Sequence, residues 1–367
     1  MAARSDNVFA SVADVAACRE MLRGGSRTFF AASLVLPRSV RGPATGLYAF
    51  CRLADDAIDH GRDRHAALAA LRDRLDRIYA GQPLDIAADR AFADSVNRFA
   101  IPKAFPAALL EGFEWDAGNR RYENLSALNA YAVRVAGTVG AMMAMVMDVR
   151  RPELVARACD LGVAMQLTNI ARDVGEDARC GRLYLPLDWL REAGIDAELW
   201  LARPQCDARL KSVVARLLKA AAELYARADA GIANLPTACR PGMYAARLLY
   251  AEIGHELERR GLDSVNQRAV VPWQRKARIL ADAMVAATRA PAAIGAERLQ
   301  EAEFLLQSVC AAPVPVPVPL RTAHAPVDSP REKARWPRVE DRVVWLVDLF
   351  ERLERRERAA ASGMNAG

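Results

Sequence analysis

The chain has 367 residues, of which 52% are hydrophobic, and 51 Lys and Arg oppose 45 Asp and Glu for a formal net charge of +6. This composition excludes intrinsic disorder of the whole chain, and the length provides enough apolar surface for one large domain or two ordinary ones. The basic residues are mostly arginine and are scattered among acidic residues. A nucleic-acid-binding surface would need them clustered, so no nucleic-acid partner is expected.

The cysteine pattern and the hydropathy indicate a cytoplasmic protein. The seven cysteines are widely spaced and include no CxxC pair, which disfavours a disulfide framework or a structural zinc site. The first 17 residues include charged side chains and lack the apolar stretch of a secretory signal. The longest uncharged apolar run, Val135 to Met147, has 13 residues, whereas a helix needs about 20 to cross a bilayer. We expect a cytoplasmic location, with peripheral contact at the inner membrane as an option.

Taken in chain order, the sequence repeats hydrophobic residues at helical spacing, and strand patterns are rare. In 66–79, four apolar residues fall three or four positions apart on one helix face: Leu68, Leu71, Leu75 and Ile78. Comparable patterns cover 211–233 and 243–260. Prolines mark the expected helix boundaries, among them Pro37, Pro102, Pro152, Pro186, Pro236 and Pro241. The sequence therefore predicts an all-α fold.

An acidic pair falls on the helix predicted over 47–59, which reads LYAFCRLADDAID. Asp55 and Asp59 are four residues apart, about 40° around a helix and about 6 Å along it, so they share one face. Two like charges at this spacing destabilise a helix unless a cation lies between them. Asp56 stands about 100° away from Asp55 and is less suited to join the pair.

A second cluster lies in 166–177, QLTNIARDVGED, where Asn169, Asp173 and Asp177 repeat the four-residue step. Hard oxygen ligands at this spacing suit Mg²⁺, which completes its shell with water and phosphate oxygens. DxxxD pairs are common on solvated helix faces, but both clusters follow apolar helix residues and should point into the protein. Arg52 and Arg172 stand beside the clusters and suit the oxygens of a diphosphate.

A helical cavity with two acidic rims and an apolar wall fits an allylic diphosphate with a long hydrocarbon tail. Breaking its C–O bond needs a stabilised leaving diphosphate, and the resulting carbocation needs walls that exclude water. The segment Val135 to Met147 would supply such a wall, with Gly137 and Gly140 leaving room. A plain core helix packed closely at its glycines is the alternative interpretation, and the two are compatible.

Four ordered motifs over about residues 18–290 resemble the squalene and phytoene synthase family, most of all bacterial phytoene synthases. They are GSRTF at 25–29, YAFCRLADDAID at 48–59, YAVRVAGTVG at 131–140 and QLTNIARDVGEDARCGRLYLP at 166–186. The resemblance implies an isoprenoid-synthase (terpenoid synthase) helical bundle with a central cavity. It also implies head-to-head condensation of two geranylgeranyl diphosphates through prephytoene diphosphate to phytoene, the first committed step of carotenoid biosynthesis.

The resemblance implies roles for individual residues by position. Asp55 and Asp59 match the first aspartate pair, and Asn169, Asp173 and Asp177 match the second, which together bind two or three Mg²⁺ or Mn²⁺ ions bridging to diphosphate. The implied diphosphate and catalytic contacts are Tyr48, Arg52, Tyr131 and Arg172. The other implied substrate-binding residues are Thr28, Phe29, Val135, Ala136, Gly140, Gln166, Tyr250 and Arg268. No NADPH is expected for phytoene formation.

The sequence departs from the family in one place and leaves two alternatives open. Gly25 stands where many members have a histidine, so it is left out of the implied site. A relative that uses C15 diphosphates, making dehydrosqualene, squalene or hydroxysqualene, remains an alternative because the closed end of the cavity sets tail length. The second alternative is a non-catalytic, membrane-associated family member. The intact acidic motifs disfavour it, because a scaffold need not keep buried like charges that destabilise its helices. The sequence indicates no oligomeric state.

The expected division of the chain is an N-terminal arm (1–17), a catalytic domain (18–310), a Pro-rich linker (311–338), an amphipathic basic helix (339–360) and a disordered tail (361–367). The linker contains APVPVPVP at 312–319, which cannot be helical. In 340–359, apolar residues alternate with arginines at helical spacing. This helix either packs on the domain or lies on an anionic membrane.

Overall fold

The computed structural model describes residues 8–60 and 63–311, apart from the side chains of Arg27, Thr28, Asp59 and His60. The predicted basic helix and tail lie outside the described residues, and so does the linker beyond residue 311. Nothing in the described range bears on whether that helix packs on the domain.

The described residues form helices joined by short loops and contain no strand, which confirms the predicted all-α class. In chain order the helices are α1 (Val12–Gly25), α2 (Arg27–Leu34), α3 (Arg38–His60), α4 (Arg64–Tyr79), α5 (Ala87–Phe99), α6 (Ala104–Ala117), α7 (Leu125–Ala132), a π-helical turn (Val133–Gly137), α8 (Thr138–Val146), α9 (Pro152–Arg179), α10 (Leu187–Glu192), α11 (Ala197–Ala202), α12 (Ala208–Ala233), α13 (Arg240–Arg259), α14 (Trp273–Ala286), a 3₁₀ turn (Gln300–Ala302) and α15 (Glu303–Ala311). Among these helices none is both long and apolar enough to cross a membrane.

The helix boundaries follow from local side-chain chemistry. The hydroxyl of Ser11 accepts a hydrogen bond from the backbone N–H of Asp14, and the Asp14 carboxylate accepts one from the Ser11 N–H, which forms a capping box at the start of α1. The carboxylates of Asp63 and Asp207 cap α4 and α12 by accepting a hydrogen bond from a backbone N–H in the first turn, that of Ala66 or Leu210. Pro152 occupies the first turn of α9, where its missing N–H costs no hydrogen bond.

Helix α9 forms the centre of the molecule and carries the second acidic cluster. It is buried along most of its length and packs against α7, α8, α12, α13 and α15. A Cβ on Gly140 would lie 2.1 Å from the carbonyl oxygen of Ala158, and one on Gly162 would lie 2.2 Å from that of Ala136. The backbones of α9 and of the segment 136–140 therefore touch, as the close-packing interpretation of the glycines predicted.

Candidate active site

Two cavities meet on one side of α9, and they differ in character. The polar cavity is lined by Asp55, Ile58, Phe113, Asp116, Tyr131, Gln166, Asn169, Ile170, Asp173, Asp177, Arg182 and Tyr184. The apolar cavity is lined mainly by α2, α3, the π-helical turn, α8, α9 and α13. Gln166 and Asn169 line both, so the polar and apolar cavities lie next to each other at this part of α9.

The structure brings the two predicted acidic clusters to the same cavity. Asp55 reaches it from α3, whereas Asn169, Asp173 and Asp177 reach it from α9. Asp59 lies on α3 one turn after Asp55, and its side chain is outside the described residues. Carboxylates from two separate helices therefore face a common space, although more than a hundred residues separate them in the sequence.

Arg52 pairs with both neighbouring aspartates on α3. Its guanidinium lies 2.6 Å from an Asp56 oxygen and 3.5 Å from an Asp55 oxygen. Asp56 does not line the polar cavity, consistent with its predicted orientation, but it provides the closer contact to Arg52. Asp56 thus orients an arginine beside the cavity, a role that helix spacing alone did not suggest.

Two arginines converge on Asp173. Arg172 donates to both carboxylate oxygens, with 2.7 Å between its Nε and Oδ1. The Nε of Arg268 lies 3.1 Å from the same Oδ1. Arg268 follows α13 in the sequence, so the fold places a cation from a separate segment beside α9. Neither arginine lines the polar cavity, but both contact Asp173, which does, so both guanidinium groups lie beside the cavity. A guanidinium in this position can also bind a phosphate oxygen.

The electrostatics of Asp177 favour a bound cation. Burial, followed by the charge of Asp173, raises the pKa of Asp177 to about 7. A divalent ion nearby would restore the charged carboxylate, so these oxygen donors fit Mg²⁺ or Mn²⁺. Among the side chains that the structure describes, which do not include that of Asp59, no three of His, Cys, Asp or Glu approach closely enough to hold a metal by themselves. Mg²⁺ sites commonly use one or two carboxylates and complete the shell with substrate phosphates.

Sequence reasoning missed a hydrogen-bonded cluster in the polar cavity. The two carboxylate oxygens of Asp116 accept hydrogen bonds from the hydroxyls of Tyr131, at 2.8 Å, and Tyr184, at 2.7 Å. Arg182 lines the same cavity. Tyr184 and Arg182 lie inside a motif quoted above, but Asp116 falls between motifs. Asp116 is one of three acidic residues in the second half of α6, with Glu111 and Glu114, so no sequence signal singled it out.

The apolar cavity contains most of the predicted tail-binding residues. Phe29, Val135, Ala136, Gly140 and Tyr250, which were expected among the substrate-binding residues, all line it. Tyr48 was expected to contact the diphosphate, but it lines this apolar cavity and not the polar one. The ring of Phe29 lies 5.1 Å from that of Tyr250 and 6.4 Å from that of Tyr48. The side chain of Thr28 is outside the described residues. Met143 also lines it, as expected for the wall segment Val135 to Met147, whereas sequence reasoning missed Leu36, Leu161, Met165 and Met243.

The π-helical turn shapes this wall. Residues Val133–Gly137 form it between α7 and α8, and it places Val135 and Ala136 along the apolar cavity. Single π-helical turns are rare and are often found at functional sites. Helical periodicity could not have located this turn, because one widened turn leaves the hydrophobic pattern almost unchanged.

Comparisons with known proteins identify the family. The squalene/phytoene synthase family matches residues 22–277. A phytoene synthase of Cereibacter sphaeroides is 55% identical over 274 residues, which cover 72% of this chain and 77% of that protein. A 15-cis-phytoene synthase of a Paracoccus species is 41% identical over 261 residues, which cover 68% of this chain and 84% of that protein.

Solved structures share the fold. A dehydrosqualene synthase in complex with a ligand superposes with a TM-score of 0.69 at 30% identity, covering 74% of this chain and 96% of that one. A squalene synthase of Alicyclobacillus acidocaldarius superposes with a TM-score of 0.63 at 25% identity, covering 68% of this chain and 94% of that one. The helical architecture described above is therefore that of these isoprenoid synthases.

Proposed function

This chain belongs to the squalene/phytoene synthase family, and we propose that it joins two geranylgeranyl diphosphates head to head, through prephytoene diphosphate, to give phytoene and diphosphate. It is a prenyltransferase of carotenoid biosynthesis. One observation of the structure supports this most directly. A polar cavity with carboxylates from α3 and α9 adjoins an apolar cavity lined by seven separate elements.

The polar cavity would hold the diphosphate ends of the substrates. Arg52, Arg172 and Arg268 do not line this cavity, but they pair with Asp55 and Asp173, which do. Each of them can bind phosphate oxygens with its remaining N–H groups. The aspartates Asp55, Asp173 and Asp177, with Asn169, are the residues that would hold Mg²⁺ or Mn²⁺. When bound, such ions neutralise the diphosphate and make it a better leaving group.

The apolar cavity would hold the hydrocarbon tails and protect the cationic reaction centre. Its walls are mostly Ala, Leu, Met, Phe and Val side chains, which exclude water and offer no strong nucleophile. The ring faces of Phe29, Tyr48 and Tyr250 lie at this wall and can stabilise positive charge. Water exclusion matters because a water molecule that reached the cation would capture it as an alcohol.

The length of the hydrocarbon tail that the enzyme accepts tests the assignment of a C20 substrate. The purified protein is incubated separately with C15 and C20 allylic diphosphates and Mg²⁺, and the hydrocarbon product is identified by mass. We expect a C40 hydrocarbon from the C20 substrate, in keeping with the 55% identity to a phytoene synthase. A C30 product alone would replace the phytoene assignment with the C15 alternative, and no hydrocarbon from either substrate would support a non-catalytic role.

We also propose a cytoplasmic location with peripheral contact at the inner membrane, through the C-terminal segment 339–360. The support is its sequence pattern, which combines apolar residues with arginines at helical spacing. The full chain is expected to sediment with vesicles that contain anionic lipid, and a chain shortened to end at residue 310 is expected to stay in solution. Equal sedimentation of both chains would contradict this proposal.

A further inference from the structure

A carboxylate outside both acidic clusters lies in the polar cavity. Asp116 is near the C-terminal end of α6 and lines the cavity together with Asp55 and Asp177. Each of its oxygens accepts a hydrogen bond from a tyrosine hydroxyl, Oδ1 from Tyr184 and Oδ2 from Tyr131. These tyrosines come from different parts of the chain, so the fold assembles the cluster from three separate segments.

The tyrosines form a rigid aromatic stack. The ring centroids of Tyr131 and Tyr184 are 5.2 Å apart, with 21° between the ring planes. Tyr122 packs against both, at 5.1 Å from Tyr131 and 6.2 Å from Tyr184. All three are at most 9% exposed. Burial and the nearby Asp116 charge raise the pKa of both Tyr131 and Tyr184, so each hydroxyl keeps the proton that it donates to Asp116.

A carboxylate near a carbocation has two opposite effects. Its negative charge stabilises the cation through space, which lowers the barrier to ionisation. An unshielded carboxylate oxygen would also attack the cation and form a C–O bond, which would end the reaction as an ester. Two donated hydrogen bonds reduce the nucleophilicity of the oxygens while the charge remains. The same hydrogen bonds polarise the phenols, which makes their oxygens and ring faces better partners for a cation.

We propose that Asp116 is a positioning residue for the condensation, which fixes Tyr131 and Tyr184 at the polar cavity and stabilises the carbocation through them. The role presupposes the proposed function, since it concerns the cation formed from the allylic diphosphate. Tyr131 and Tyr184 line the cavity and would contact the substrate, whereas Asp116 acts by orienting and polarising them.

Two conservative variants and one matched control test this role. Asp116→Asn keeps the shape of the side chain and removes the charge, and Tyr184→Phe keeps the stacked ring and removes one hydroxyl. Tyr79→Phe is the control, because Tyr79 is also largely buried and donates to the carbonyl oxygen of Ile101 at 3.0 Å, outside both cavities. The readouts are kcat and KM with geranylgeranyl diphosphate at saturating Mg²⁺, together with the midpoint of thermal unfolding.

The expected result is a loss in kcat with little change in KM. Asp116→Asn should lower kcat about 100-fold, in the range measured when one electrostatic stabiliser is removed from an active site. Tyr184→Phe should lower kcat about tenfold, and the double variant should be no slower than Asp116→Asn, because Tyr184 acts together with Asp116. Tyr79→Phe should leave kcat unchanged.

Several outcomes would overturn the role of Asp116. One is a kcat for Asp116→Asn within threefold of that of the unmodified protein. Another is an increase in KM without a decrease in kcat. The third is a decrease in kcat for the double variant that equals the product of the decreases in the two single variants. If Asp116→Asn does not fold, Tyr184→Phe decides, because an unchanged kcat in that variant refutes the role. The activity of the unmodified protein separates failure of the proposed function from failure of the role of Asp116. Active protein with equally active variants refutes only the role of Asp116, whereas no hydrocarbon from C15 or C20 diphosphate refutes the function and the role together.

Discussion

The hydroxyl of Tyr48 occupies the space that a side chain at position 25 would need. A Cβ built on Gly25 would lie 2.3 Å from this oxygen, well inside van der Waals contact. The family resemblance implies a histidine at this position in many members, whereas here any side chain would have to displace the Tyr48 hydroxyl. Gly25 therefore permits the observed position of Tyr48, which lines the apolar cavity.

Gly25→Ala should displace the Tyr48 hydroxyl and reduce turnover about tenfold or more, because a misplacement of about 1 Å at an active site can cost up to about 100-fold. The fold should survive, since the clashing atom is the far end of a side chain. Gly24→Ala is the matched control, as a Cβ there would have no heavy atom within 4 Å. Steady-state kinetics on both variants provide the comparison, and equal activity of the two would show that Tyr48 tolerates the displacement.

Asp55→Asn and Asp173→Asn should each lower kcat with geranylgeranyl diphosphate by at least about 100-fold while the protein stays folded. Each change removes a carboxylate charge from the polar cavity, where charge neutralisation of the diphosphate is required. Asp73→Asn serves as the control, because Asp73 pairs with Arg77 on an exposed face of α4. Activity measurements over a range of Mg²⁺ concentrations test this, and full activity of either cavity variant would remove that residue from the site.

Gly162→Ala should destabilise the protein by about 1–3 kcal/mol or more, because its methyl group would overlap the carbonyl oxygen of Ala136 and force α9 away from the π-helical turn. Gly24→Ala, near the end of α1, should be neutral or stabilise by up to about 1 kcal/mol, since a Cβ there meets no heavy atom within 4 Å. Urea unfolding monitored by circular dichroism gives the free energy of unfolding of both variants. A Gly162→Ala variant as stable as Gly24→Ala would contradict the close approach of the two backbones.

The ion pair between Asp14 and Arg90 predicts a pH-dependent contribution to stability. Hydrogen bonds from Arg90, together with those from Ser11, hold the pKa of Asp14 well below its usual range. A depressed folded-state pKa gives stability that is present above about pH 4 and is lost as pH falls further. Asp14→Asn should therefore cost about 1–3 kcal/mol at pH 7, and the difference from the unmodified protein should shrink as pH falls below 4.

Asp85→Asn is the control for this experiment. Asp85 also pairs with Arg90, but its side chain is 99% exposed, so its removal should change stability by less than about 1 kcal/mol. Urea unfolding at pH 7 and at successively lower pH gives the free energy of unfolding for each protein. A constant difference between Asp14→Asn and the unmodified protein across that range would refute the depressed pKa.

The sequence by itself determined the fold class and the two acidic clusters, because both depend on local periodicity. Helical spacing placed Asp55 on one face of α3, and Asn169, Asp173 and Asp177 on one face of α9. Four motifs in order were enough to indicate the family. Tertiary packing does not alter this grouping, because residues four positions apart on a helix share a face wherever the helix lies.

Only the tertiary structure decided which separate segments meet. Asp116 has no spacing relationship with Tyr131 or Tyr184, yet the fold places α6 beside α7 and beside the segment after α9, which brings the three side chains into hydrogen-bond contact. The same holds for Gly25 and Tyr48, which come from different helices. Contacts of this kind depend on how helices cross and on which side chains fill the remaining space, and local periodicity carries no information about either.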